Sequence, residues 1–157
     1  MKHGAILFGA GCVALAMVTA AAVFLVFNDS SAAAPTKSEY LAQVAAICSS
    51  YGPKLDKIRP PDVAEPANVL EAIGLVLPLL RSQINEVTAL PQPKELRPGL
   101  EKWFKLHQQR LAMLEKANRA GKIADFRTMS VAYVDFLLAA PKTAELSKAL
   151  GIPQPPC

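Results

Sequence analysis

A run of 24 uncharged residues, Gly4 to Phe27, constrains this chain more than any other feature. At about 1.5 Å per residue, a helix of that length crosses a hydrocarbon core of about 30 Å with some tilt. The charges that flank the run are Lys2 and Asp29, and the positive-inside rule places Lys2 in the cytoplasm. We therefore predict a single-pass anchor in the cytoplasmic membrane over residues 1–27, with all later residues outside.

Two kinds of processing compete with a retained anchor. A signal peptidase would cut in the small-residue stretch Ser31-Ala32-Ala33-Ala34, but the apolar run is longer than the roughly 7–15 residues usual in signal peptides. A lipoprotein would be modified at Cys12, within the lipobox-like Gly9-Ala10-Gly11-Cys12, yet the apolar run continues for 15 residues beyond that cysteine. The length of the run favours retention.

Residues 28–36 are a short tether of small and polar residues, and the apolar residues that follow recur at steps of three and four, which is typical of helices. The first helical segment opens with the capping box Thr36-Lys37-Ser38-Glu39. Prolines 53, 78 and 141 fall inside segments and predict kinks, with a break as the alternative at Pro141. The four segments cover residues 36–58, 67–90, 98–121 and 125–150.

Four segments of similar length with short turns between them favour antiparallel neighbours. We predict an all-α fold, in which one N-terminal transmembrane helix precedes an up-down four-helix bundle with proline kinks over residues 37–157. A domain of this size buries about two-thirds of the surface of its unfolded chain. We therefore expect it to be stable without a cofactor.

Cys48 and Cys157 are the cysteines outside the predicted anchor, and in an oxidising compartment such cysteines pair by default. In the predicted bundle Cys48 lies about 18 Å along its helix, and the tail from Gly151 to Cys157 extends by about 20 Å. We predict a Cys48–Cys157 disulfide. Closing so long a loop adds around 4–5 kcal/mol in the chain-entropy description.

Residues that could carry catalysis are sparse. The external part of the chain has one histidine, His107, on the apolar stripe of the third segment, which favours a core position over haem ligation with Met113 or Met129. Phosphate-binding loops, nucleophile elbows and metal-ligand spacings do not occur in the sequence. We expect no catalytic, cofactor or metal site, and a protein that is not an enzyme.

Positive charge concentrates in the third segment and its turns, where residues 94–127 hold nine basic and four acidic residues. Trp103 lies on a flanking stripe, so we place it at the edge of the core beside Lys102 and Arg110. An aromatic ring among basic side chains is typical of an interaction hot spot. The alternative is that Trp103 completes the packing between neighbouring helices. Outside a bacterial membrane the acidic partners are lipid head groups and wall polymers, not nucleic acid.

Two short patterns carry a resemblance to a family. The first helical segment contains Val44-Ala45-Ala46-Ile47-Cys48, and the chain ends with Ala149-Leu150-Gly151-Ile152-Pro153 followed by a terminal cysteine. With the proline-rich turns, residues 38–157 resemble uncharacterised small cell-envelope proteins of actinobacteria. These have one N-terminal anchor or lipobox and an Ala/Leu-rich helical domain closed by two such cysteines. The resemblance implies an envelope location and a helical fold, and it implies no activity.

The chain departs from that family in its three intrahelical prolines and its longer Pro-Gln-Pro-Pro tail. Together, the anchor, the short tether and the lack of site chemistry predict an accessory or scaffolding subunit of a larger membrane protein complex. The alternative is a binding module in which kinked helices open a cleft for a lipid or another hydrophobic ligand.

Overall fold

The computed structural model describes residues 34–62 and 64–152, which are helical throughout apart from their turns and contain no strand. This confirms the predicted all-α class for the described residues. The predicted anchor, most of the tether and Cys157 lie outside the described residues. The helices are α1 (Lys37–Leu55), α2 (Pro66–Ala89), α3 (Arg97–Lys122), α4 (Phe126–Leu138) and α5 (Ala140–Leu150).

The predicted capping box starts α1. The Thr36 hydroxyl accepts a hydrogen bond from the Glu39 amide at 3.3 Å, and the Glu39 carboxylate accepts one from the Thr36 amide at 2.8 Å. Asp125, the predicted N-cap of the fourth segment, likewise accepts from the Thr128 amide at 3.1 Å and starts α4. Each bond satisfies an amide that has no partner within the first turn of its helix.

The three prolines act differently according to their position. Pro53 lies in the last turn of α1, which ends at Leu55, three residues before the end of the predicted segment. Pro78 lies inside α2 without ending it. Pro141 divides the predicted fourth segment, because it occupies the first turn of α5, where its missing N–H costs no hydrogen bond.

The C-terminal end of α5 has the predicted glycine stop. Gly151 adopts a left-handed conformation with φ of 81°. Its amide donates to the Lys148 carbonyl at 3.1 Å, and the Ile152 amide donates to the Ser147 carbonyl at 2.9 Å, which is the Schellman pattern. The buried Ile152 side chain then ties the chain end to the core.

The core consists of two clusters stacked along the helices. The first joins α1, the second half of α2, the first half of α3 and the end of α5. The second joins the first half of α2, the second half of α3 and α4. Helix α3 packs against α2, α4 and α5, whereas the main contact of α1 is α2. The end of α5 therefore covers the half of the core that α1 shares, and α4 covers the other half.

Polar contacts between helices supplement this packing. The Tyr51 hydroxyl of α1 donates to the Glu86 carboxylate of α2, and that hydrogen bond raises the pKa of Tyr51. Arg81 of α2 forms an ion pair of 2.7 Å with Glu115 of α3. Because Arg81 is half exposed, we expect this pair to contribute less than about 1 kcal/mol.

Among the described helices, α2 meets the length and composition of a membrane-spanning helix. A core helix of a globular domain passes the same test, and α2 contributes Val69, Ile73 and Val87 to the two core clusters. We therefore interpret α2 as a core helix. This finding is separate from the anchor predicted at residues 1–27.

The glycine stop can be tested with two alanine substitutions. Gly151→Ala places a Cβ on a left-handed residue and should lower the free energy of unfolding by about 1–2 kcal/mol. Gly74→Ala is the matched control, since Gly74 lies inside α2 with open space around its Cα and should raise stability by about 0.5–1 kcal/mol. Urea denaturation measures both, and equal effects of the two substitutions would contradict the assignment.

Candidate functional site

Trp103, predicted at the edge of the core as either a partner contact or a packing residue between helices, is fully buried with 0% of its surface exposed. Its indole Nε1 donates to the Ser147 hydroxyl at 2.7 Å, and its ring lies 5.2 Å from Phe104 and 4.1 Å from His107. The prediction of an edge position is therefore wrong, whereas the alternative that Trp103 packs between helices agrees with these contacts. The physical reason is that α5 covers the flank of α3 on which Trp103 lies, so that α3 buries an arc wider than one stripe.

The predicted basic neighbours of Trp103 do not form a surface with it. Lys102 is exposed to solvent. The Arg110 guanidinium turns inward, where it lies 4.6 Å from the Phe136 ring centroid and donates to the Thr143 hydroxyl at 3.2 Å. Burial lowers the pKa of Arg110. The structure thus removes Trp103 from the predicted partner surface and gives Arg110 a packing role between α3, α4 and α5.

His107 is buried, as its place on the apolar stripe predicts. Burial, together with the nearby charge of Arg110, lowers the pKa of His107 to about 4, so the imidazole is neutral at pH 7. It lines a cavity of about 30 Å³ with Gln83, Arg110 and Phe136. We therefore assign His107 to the core.

Cys48 is buried in the first core cluster, together with Leu150 and Ile152. The end of α5 also lies against α1 directly, since a Cβ at Gly151 would lie 3.4 Å from the Leu41 side chain. From Ile152 the chain needs only five more residues to reach Cys157, a span of about 17 Å when extended. The packing therefore supports the predicted disulfide, which stays a prediction because Cys157 lies outside the described residues.

The outer side of α4 is the main functional candidate, and the helical periodicity did not predict it. Met129, Ala132 and Phe136 face the core and are buried. On the opposite side, Val131, Val134 and Leu138 are exposed by 54%, 48% and 73%; we call these three residues the α4 apolar face. A helix at the surface of a monomeric domain normally carries polar residues there.

A signal for this face is present in the sequence. Helix α4 reads Phe-Arg-Thr-Met-Ser-Val-Ala-Tyr-Val-Asp-Phe-Leu-Leu, with two charged residues among 13. Apolar residues therefore recur around its whole circumference, and a single core stripe cannot account for them. Contiguous exposed apolar surface of this kind marks contact sites for other proteins or membranes.

An apolar pocket lies where α1 ends early. The turn from Ile58 to Pro61 crosses the second core cluster without sealing it, and this leaves a half-open pocket of about 200 Å³. Ile73, Leu114 and Phe136 are among the side chains that line it. In other proteins an apolar cavity of about 150 Å³ accepts a benzene ring, so this pocket has room for a small apolar group.

Metal-ligating residues do not converge in the part of the chain that the structure describes, which holds no group of three or more His, Cys, Asp or Glu side chains suited to a metal ion.

Comparison with protein-family models, with curated proteins and with solved structures finds no match to this chain. The site must therefore be interpreted from its own geometry.

The packing role of Trp103 can be tested by truncation. Trp103→Ala should lower the free energy of unfolding by about 3–5 kcal/mol, because it opens a large cavity and leaves the Ser147 hydroxyl without its donor. Thermal denaturation of the full chain measures the loss. Lys102→Ala is the matched control and should change stability by less than about 0.5 kcal/mol. Comparable stability of the two variants would contradict the buried position.

The lowered pKa of His107 predicts acid sensitivity. Its folded pKa lies below the ordinary value of 6.5, so the unfolded chain binds the proton more tightly and stability falls as pH decreases from about 6.5 to 4. The loss from this residue alone is about 3 kcal/mol between pH 7 and pH 4. Urea denaturation at pH 7 and pH 4 should show that the free energy of unfolding falls by about 3 kcal/mol less in His107→Gln than in wild type. Identical pH dependence would exclude the buried neutral imidazole.

The predicted disulfide makes stability depend on the C-terminal residue. Cys157→Ser should lower the melting temperature of the chain, since an open loop restores entropy to the unfolded state. Addition of a reductant should lower the melting temperature of wild type and leave that of Cys157→Ser unchanged. Peptide mapping without reduction provides the direct check, and recovery of both thiols unmodified would contradict the pairing.

Proposed function

We propose that this chain is a non-enzymatic, single-pass protein of the cell envelope. Its predicted anchor over residues 1–27 holds the helical domain outside the cytoplasmic membrane. The domain is an up-down four-helix bundle whose fourth side is shared by α4 and α5. The two core clusters support this arrangement, because the first half of α2 packs with the second half of α3 and the second half of α2 with the first half of α3.

The role we propose is that of an accessory or scaffolding subunit in a larger membrane protein complex. The observation that carries this role is the α4 apolar face. Three large aliphatic side chains exposed on the side of a helix opposite the core cost free energy in water, and contact with another protein removes that cost. The partner surface in this proposal is therefore α4, in place of the predicted surface at Trp103.

The resemblance to actinobacterial envelope proteins is consistent with the structural roles of its two patterns. The first pattern places Val44 and Cys48 in the core on α1. The second forms the glycine stop of α5 through Leu150, Gly151 and Ile152. Both patterns thus serve folding, which supports a shared fold and adds no evidence for a shared activity.

The apolar pocket favours a second candidate function, the binding of a lipid or another hydrophobic ligand. The pocket opens beside the Ile58–Pro61 turn, with Arg59 among its lining residues. An acyl chain end would fill the apolar part. Mass spectrometry of lipids that co-purify with the chain tests this function. A lipid present at one equivalent supports it, and an empty chain contradicts it.

Affinity purification from the native membrane tests the scaffolding role. Wild type should retain membrane subunits at fixed stoichiometry, and Val134→Lys should lose them, because a buried unpaired charge at a contact costs about 2 kcal/mol or more, roughly a 30-fold loss in affinity. Leu75→Lys is the matched control, since Leu75 is equally exposed but lies on α2. Equal retention by both variants would exclude the α4 apolar face as the contact.

A further inference from the structure

The outer side of α4 carries two opposite charges at equal distances from Val131. Arg127 precedes that valine by four residues and Asp135 follows it by four. At 100° per residue the three side chains form one row along the helix, and Val134 and Leu138 lie on the adjacent row. Arg127 and Asp135 are both exposed, and neither takes part in an ion pair within residues 34–62 and 64–152.

This arrangement is complementary to itself in one orientation. When a second α4 lies antiparallel, with a two-fold axis passing at Val131, each Arg127 faces the Asp135 of the other copy. Two ion pairs then flank an apolar centre formed by Val131 and Val134. In the parallel orientation each charge would face its own kind, which is unfavourable.

An exposed hydrophobic residue lies at each end of α4, which fits the same antiparallel arrangement. Ile123, just before the helix, and Leu138, at its end, are the two most exposed large hydrophobic residues that the structure describes, at 78% and 73%. They lie at opposite ends of a helix about 20 Å long. An antiparallel pair brings the Ile123 end of one copy beside the Leu138 end of the other.

We infer that the α4 apolar face binds the same face of a second copy of this chain, antiparallel and two-fold symmetric. The contact is isologous, so one patch serves both partners and the assembly closes at two copies. This inference rests on the proposed function, since it names the occupant of the docking face. The subunit then enters its complex as a pair, so Val134→Lys would release the membrane subunits by separating the two copies.

Cysteine cross-linking of the full chain in membranes tests the orientation. Val131→Cys lies on the two-fold axis and should give a covalent dimer under mild oxidation. Co-expressed Arg127→Cys and Asp135→Cys chains should cross-link to each other at least fivefold more than either does to itself. Wild type controls for the native cysteines, and Leu75→Cys is the matched control for an exposed apolar site on α2.

Charge reversal tests the pairing independently. Arg127→Glu, and separately Asp135→Arg, should each lower the yield of the Val131→Cys dimer about fivefold, because each places like charges opposite one another. The double reversal should restore the yield. Circular dichroism of each variant shows whether the helices are retained, and these surface positions lie outside both core clusters.

Two results would overturn the inference: a Val131→Cys yield no higher than that of Leu75→Cys, or preferential cross-linking of Arg127→Cys to itself. The proposed docking role can be contradicted independently of the self-association. If Val134→Lys releases the membrane subunits but Val131→Cys does not cross-link, the face binds a different protein and only the self-association is wrong. If Val131→Cys cross-links and Val134→Lys keeps the subunits, the pair stands and the docking role is wrong.

Discussion

The contact between Trp103 and Ser147 is the interaction on which the arrangement of this domain depends. The indole ring fills the space between α3 and α5, and its Nε1 donates to the Ser147 hydroxyl, which in turn donates to the Thr143 carbonyl at 2.9 Å. A buried tryptophan needs such a partner for its N–H. Because α5 is held against α3 in this way, its end reaches the first core cluster beside α1.

The division of the predicted fourth segment into α4 and α5 determines what each of these two helices covers. Pro141 lets the chain change course between α4 and α5, so that α5 covers Trp103 while α4 covers the second core cluster. Since one side of α4 covers the core, the aliphatic side chains on its opposite side remain exposed to solvent. The early end of α1 at Leu55 leaves the apolar pocket open on the same cluster.

Local features of the fold were predictable because a few neighbouring residues determine them. The capping box at Thr36 and the glycine stop at Gly151 depend on hydrogen bonds within five residues, and both form as expected. The full burial of Trp103 was not predictable in this way, because the apolar period shows which side of a helix is buried and not how many helices cover it. The α4 apolar face was not predictable for a related reason, since the exposure of its side chains depends on which side of α4 the other helices cover.

The sequence by itself determined the helical class, the approximate ends of the helices and the core position of His107, since helix periodicity and capping chemistry act over one or two turns. It also carried the apolar composition of α4. Only the tertiary structure decided which apolar side chains remain in water, because exposure depends on the packing of distant segments. That packing buried Trp103, turned Arg110 inward and left Val131, Val134 and Leu138 exposed.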